Sequence, residues 1–341
     1  MTPSTGTPAR RDPLIARLAA LAAVFTLCVV VLGAWVRLSD AGLGCPDWPG
    51  CYGQVDVPAG SEIAAANAAY PERPVETGKA WKEMVHRYFA GTLGLLVFGL
   101  AAVAWWRRAR GTPVVLPTVI AALVIFQALL GMWTVTLLLK PLIVLAHLLG
   151  GLTLLALLVW LALAHRSAVP ALPHPRWLRR LGVFALVVLV MQITLGGWTS
   201  TNYAALACPD LPTCQGEWWP ETDFSTAFIP WHGLGIDYEG GILLGEARAA
   251  IHLTHRLGAI VALLVIGGLA LASMMSVRDR RLRLAGAGVG ALLLLQFGLG
   301  LANVWWLLPL PVATAHNAGA ALLLAGLVAF LHLLYRWHDR T

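Results

Sequence analysis

Charge is scarce in this sequence: Asp, Glu, Lys and Arg make up 12% of 341 residues, about half the usual share of a soluble domain. A water-soluble globule is excluded on that ground, because 58% of the chain is hydrophobic, more apolar material than a core of this size can take up. Also missing are a glycine-rich phosphate loop, a low-complexity linker and a polar stretch long enough to fold as a separate soluble domain. Cysteine is rare too, with five residues, four of them in two spaced pairs within polar stretches.

What is there is apolar chain in long runs. Backbone groups in lipid must be satisfied internally, so apolar runs of about 20 residues read as spanning helices. Eight occur, near 16–37, 83–106, 115–138, 142–164, 180–200, 251–275, 285–307 and 312–334. The net charge of +7 would suggest a nucleic-acid partner in a soluble protein. Here its placement reads as topology and as a lipid bilayer partner, with no nucleic acid. Arginines gather at Arg10, Arg11 and Arg17, at Arg107, Arg108 and Arg110, at Arg166, Arg176, Arg179 and Arg180, at Arg278, Arg280, Arg281 and Arg283, and at Arg336 and Arg340. Those are alternate loops and both termini, which the positive-inside rule places in the cytoplasm. The stretches 38–82 and 201–250 are then outside, with two short loops around Pro141 and around Pro309 to Pro311. Fourteen of the seventeen acids fall on the outer side; Asp12, Asp279 and Asp339 are inside. A cleaved signal peptide over the first run is disfavoured, since that run is long and continues into a motif that recurs.

The chain repeats itself. Gly33-Ala34-Trp35 returns as Gly196-Gly197-Trp198, and the Cys45 to Cys51 segment as Cys208 to Cys214, both at an offset of 163. His86-Arg87 returns as His255-Arg256, Gln127 with Gly131 as Gln296 with Gly300, and Ala146-His147 as Ala315-His316, at an offset of 169. An even number of helices per unit gives both copies one orientation. The predicted fold is therefore an all-α integral membrane protein with eight transmembrane helices, arranged as two tandem four-helix bundles related by a pseudo-two-fold axis along the membrane normal. Its parts are a cytoplasmic arm over 1–13, an N-terminal unit over 14–170 and a C-terminal unit over 171–341.

Four histidines sit near the outer ends of their helices at matched repeat positions: His86, His147, His255 and His316. Facing imidazoles on neighbouring helices can supply two axial ligands to a haem iron, with His86 opposite His147 and His255 opposite His316. A single membrane histidine more often packs or hydrogen-bonds a neighbouring helix. Four at one depth point to function, because intramembrane ionisable groups are costly. Zinc is the other ligand-based reading, but the cysteines lie in loops and no third ligand shares the helix depth. His165, His174, His232, His332 and His338 have no repeat partner and are expected to be solvated. Arg87 and Arg256, at the outer mouth, could pair with haem propionates or anchor to headgroups.

The loop pairs Cys45–Cys51 and Cys208–Cys214 face an oxidising compartment and are expected to form disulfides, either as staples over the bundle mouths or, for the first pair, as a redox-active couple. Cys28 reads as a small apolar residue. The halves differ at one telling place: Glu83 lies three residues before His86 on the same helix face, whereas His252 holds that position before His255. A carboxylate near lipid depth marks the first half as the reactive one, unless it is simply a first-turn acid favoured by the helix dipole.

Glu83-Met84-Val85-His86-Arg87, the segment from Gly33 to Cys51, His255-Arg256, and His147 and His316 on their own helices together resemble haem A synthase, a family that converts haem O to haem A for terminal oxidases. The resemblance covers nearly the whole chain after residue 13. It implies a haem b held between His255 and His316 as cofactor, haem O as substrate between His86 and His147, and Glu83 as a catalytic acid or base. It also implies successive hydroxylations of one porphyrin methyl to a geminal diol, which loses water to leave a formyl group. Implied partners are a haem O synthase, oxidase assembly factors and an unidentified electron donor or acceptor, in the plasma membrane. The oligomeric state is left open, a homo-oligomer included. Two rivals compete: a dihaem, quinol-oxidising b-type cytochrome, which accounts for the histidines but not for Glu83, and a haem transporter or chaperone. In the second outer loop the extra residues carry Trp218, Trp219 and Trp231, expected as an interfacial belt.

Overall fold

A computed structural model describes residues 11–166 and 174–335. Most of the predicted N-terminal arm, with Arg10, and also Arg336, His338, Asp339 and Arg340 lie outside the described residues. Among the described residues the chain is helical with no strand, and its helices in order are α1 (Pro13–Leu38), α2 (Glu62–Ala69), α3 (Thr77–Trp106), α4 (Val115–Thr136), α5 (Pro141–His165), α6 (Arg176–Thr201), α7 (Phe224–Ala227), α8 (Gly245–Ser276), α9 (Arg280–Trp305) and α10 (Leu310–Tyr335). Eight of these, all but α2 and α7, are long and apolar enough to cross a membrane.

Local chemistry sets the helix ends. Asp12 caps α1, its carboxylate accepting the Leu14 N–H at 3.0 Å, with Pro13 at the first helical position, where the missing N–H costs nothing. Asp279 caps α9 through the Arg281 and Leu282 N–H groups. Burial would raise the Asp12 carboxyl, but hydrogen bonds from Arg107 and the Leu14 amide outweigh it and hold the pKa below 3.8. The helices α3 and α8 start at Thr77 and Gly245, six residues before the apolar runs predicted at 83 and 251. Their first two turns carry Lys79, Lys82, Glu246 and Arg248, residues that an apolar run leaves out and a helix accepts readily.

The helices α1, α3, α4 and α5 pack in a ring, α1 on α3 and α5, and α4 on both α3 and α5; α6, α8, α9 and α10 form the equivalent ring, and α1, α5, α6 and α10 join the two. One continuous apolar core runs through both. The outward faces are apolar as well, with Leu95 75%, Leu264 69% and Leu294 67% exposed, as suits helices whose solvent is lipid. At the helix ends away from the cysteine loops the structure corrects one expectation. His165 and His332 are buried, not solvated: the Asp12 N–H donates to His165 Nδ1 at 3.1 Å, and the His332 ring meets Trp160 edge-on at 4.9 Å. Neighbouring helices cover these ends, which no single-helix pattern discloses.

The repeat is also local geometry. Left-handed backbone recurs at Asp40 and Tyr203, at Tyr52 and Gln215, and at Leu138-Leu139 and Leu307-Leu308, and cis peptides precede Pro49 and Pro212. The second outer loop departs from this symmetry by crossing to the first half. Tyr238 donates its N–H to the Leu138 carbonyl at 3.1 Å, Arg73 pairs with Asp237 at 2.5 Å and Glu239 at 2.8 Å, and the buried Lys140 ammonium donates to the Gly233 carbonyl against the Trp231 ring. Burial lowers the Lys140 pKa below 10.5. Trp219 stacks on Phe224.

Candidate haem-binding site

Each of the two long loops carries a closed cysteine turn docked on a helix. In the first, Asp47, inside the loop closed by the Cys45–Cys51 disulfide, accepts the N–H groups of Tyr52 and Gly53 just beyond it at 2.7 and 2.6 Å. In the second, Asp210, inside the loop closed by Cys208–Cys214, accepts from Gln215 and Gly216 just beyond it at 2.6 and 3.0 Å. The turn is fastened to the long helix below it by the residue three before the histidine. The Cys45 N–H donates to Glu83 Oε2 at 2.9 Å, and the Cys208 N–H donates to His252 Nδ1 at 3.2 Å.

An arginine completes each clamp. Arg87 pairs with Glu83 Oε1 at 2.5 Å and donates to the carbonyls of Pro49, at 3.3 Å, and Gly50. Arg256 lies 3.3 Å from His252 Nε2 and donates to the carbonyls of Thr213 at 2.8 Å and Cys208 at 2.7 Å. Both guanidiniums therefore hold the cysteine turn, a use that spacing along the helix did not disclose. Glu83 lies well inside α3 and is 5% exposed. It is not a first-turn acid, so the helix dipole does not account for it.

Beneath these clamps lie the histidines. His86 sits on α3 and His147 on α5, close enough to interact electrostatically, as do His255 on α8 and His316 on α10. His147 and His316 each stand six residues after the first residue of their helix, about 9 Å along the axis. All four rings are half-buried, and each faces a glycine of a neighbouring helix. A Cβ on Gly33, Gly131, Gly196 or Gly300 would fall 2.9, 3.5, 3.0 or 3.2 Å from Cε1 of His86, His147, His255 or His316 respectively. Nδ1 of His86 and of His147 is buried without a hydrogen-bond partner. Among the described residues no three of His, Cys, Asp and Glu gather as a metal-holding set.

Comparison with known proteins accords with these features. Residues 16–328 match the COX15-CtaA family, described as cytochrome oxidase assembly protein. The chain is 46% identical to the heme A synthase of Shewanella oneidensis over 323 residues, covering 93% of this chain and 95% of that protein. It is 28% identical to the heme A synthase of Rhizorhabdus wittichii over 347 residues, covering 94% of each, and 27% identical to that of Caulobacter vibrioides over 340 residues, covering 91% and 93%.

Proposed function

From a chain that belongs to the COX15-CtaA family of cytochrome oxidase assembly proteins, we propose a haem A synthase, an oxidoreductase that takes one methyl group of haem O through successive hydroxylations to the formyl group of haem A. The observation that carries the reading is the inequality of two otherwise matching sites: a buried carboxylate, Glu83, stands beside the first histidine pair where His252 stands beside the second.

In this proposal His86 and His147 hold the haem being changed, and His255 and His316 hold a resident haem b. The donor set fits such a group. Paired imidazoles on facing helices suit haem iron, and the four glycines let neighbouring backbones approach each ring without a side chain between. Bound between two histidines, haem b supplies electron relay and no open iron position. Glu83 is the acid or base for the reacting methyl, and Arg87 orients it while fastening the cysteine turn that keeps bulk water from the mouth. The protein is placed in the plasma membrane with both termini cytoplasmic and the two long loops outside. Haem O arrives from its synthase and haem A leaves toward oxidase assembly; the methyl takes up one oxygen atom, supplied by water or dioxygen, and gives up four electrons in net terms to an external acceptor.

Haem extraction from the purified full chain, followed by chromatography, tests the reading. Wild type is expected to carry haem b together with haem O or haem A. Glu83→Gln is expected to lower haem A formation by about 100-fold or more, with haem O accumulating and haem b unchanged. A normal haem A yield in that variant removes Glu83 from the chemistry, and two equivalents of haem b alone in wild type would make the chain an electron-transfer cytochrome.

A further inference from the structure

The two histidine pairs differ in a second way, one layer out from the rings. In the C-terminal half both imidazoles touch a carboxamide. Gln192 Nε2 lies 3.1 Å from His255 Nδ1 and 3.1 Å from the His255 carbonyl, and Gln296 Nε2 lies 3.3 Å from both ring nitrogens of His316. In the N-terminal half neither ring does. The offset of 163 that relates α1 to α6 puts Val29 where Gln192 stands, and Nδ1 of His86 has no partner. Gln127 is the repeat equivalent of Gln296, and its carboxamide lies against Gly150 as that of Gln296 lies against Gly319, but turned the other way, with Nε2 toward the glycine; that Nε2 and Nδ1 of His147 have no partner. The backbone of Gln127 lies beside His147 as that of Gln296 lies beside His316, so at this post the two halves share residue and place, and the difference in residue type is Val29 against Gln192.

A histidine that ligates through one nitrogen is held in place by what the other nitrogen bonds, and such outer partners set how tightly the metal is kept. A carboxamide suits this task because it has both a donor and an acceptor end. It can give N–H to a bare Nδ1, or, turned over, offer its oxygen to an Nδ1–H. We infer that Gln192 and Gln296 are positioning residues that make the His255/His316 pair a retentive haem holder, and that Val29 in the place of Gln192, which leaves His86 without such a partner, keeps the His86/His147 pair exchangeable, as a site that must admit substrate and release product requires. This rests on the ligand assignment proposed above. It adds a physical reason why near-identical bundles would keep one haem and pass on another.

The test uses the full-length detergent-solubilised protein and measures the rate at which haem b leaves for excess apomyoglobin, together with the low-spin haem signal in electron paramagnetic resonance. Gln192→Met and Gln296→Met keep side-chain length and remove the carboxamide. Each is expected to lose haem b about tenfold faster or more than wild type and to shift the low-spin signal. Gln192→Glu restores an acceptor and is expected to return the rate to near that of wild type. Met variants that release haem b at the wild-type rate, or a Glu variant as fast as the Met variant, overturn the positioning role. A His255→Ala variant that keeps its haem b overturns the ligand assignment itself, and the positioning role with it, so the two failures are told apart.

Discussion

Glu83 and His252 occupy one post and share one structural duty, which is to receive a cysteine N–H from the turn above. A neutral imidazole performs that duty in the second half, so anchoring does not demand an acid, and the carboxylate of Glu83 is surplus to it. Placing its charge at 5% exposure is costly unless paired, and Arg87 is the partner that makes it tolerable. Swapping the first post to match the second separates the two roles. Glu83→His is expected to keep the Cys45–Cys51 turn docked, read as unchanged protease resistance over residues 40–60, while haem A formation is lost. Glu83→Ala, which leaves the buried Cys45 N–H without an acceptor, is expected to cost about 1–3 kcal/mol and to open the turn to protease. Haem A production by the histidine variant would show that the post is structural in both halves.

At the scale of helices, the spacing between α1 and α3, α4 and α5, α6 and α8, and α9 and α10 is set where a glycine meets a histidine ring. Close helix approach in lipid depends on such small residues, since burying apolar surface gains little against a lipid alternative. The four contacts are graded, which makes them separable. A methyl at Gly196 would sit 3.0 Å from His255 Cε1, tighter than a normal contact, whereas one at Gly131 would sit 3.5 Å from His147 Cε1. Gly196→Ala is expected to push the His255 ring out of line at a cost of about 1–3 kcal/mol, roughly tenfold in haem b affinity. Gly131→Ala is expected to leave haem content unchanged. Quantifying haem per protein after purification checks both, and equal losses at the two sites would remove ring spacing as the cause.

For the whole molecule, the two rings of helices are joined within the membrane by α1, α5, α6 and α10, and outside it by the second long loop. Two outer ties are of different kinds. Arg73 meets Asp237 and Glu239 with side chains 21%, 50% and 32% exposed, a rim arrangement worth about 0–1 kcal/mol. Lys140 is 1% exposed, with its ammonium on the Gly233 carbonyl and the Trp231 ring, and losing it leaves a half-buried acceptor without its donor, which costs about 1 kcal/mol. Lys140→Met is therefore expected to speed limited proteolysis within residues 215–240, and Arg73→Ala to leave it nearly unchanged. The reverse order would mean that the exposed ion pairs, not the buried lysine, fasten the loop.

Eight spanning helices, the duplication, the cysteine pairs and the four histidines were all legible in the sequence, because lipid imposes a length and a composition on every span and because duplicated residues index one another. Glu83 stood out for the same reason, as the acid that broke a repeat. What only the tertiary structure decided depends on how helices meet across the bundle. It placed Glu83 and Arg87 on the cysteine turn, buried His165 and His332, carried the second loop over to Lys140, and set Gln192 and Gln296 against their histidines. Gln192 has Val29 at its matching repeat position, so the duplication gave no sign of its contact with His255. Whether a carboxamide reaches a ring on another helix is fixed by the packing between them, on which a one-dimensional pattern is silent.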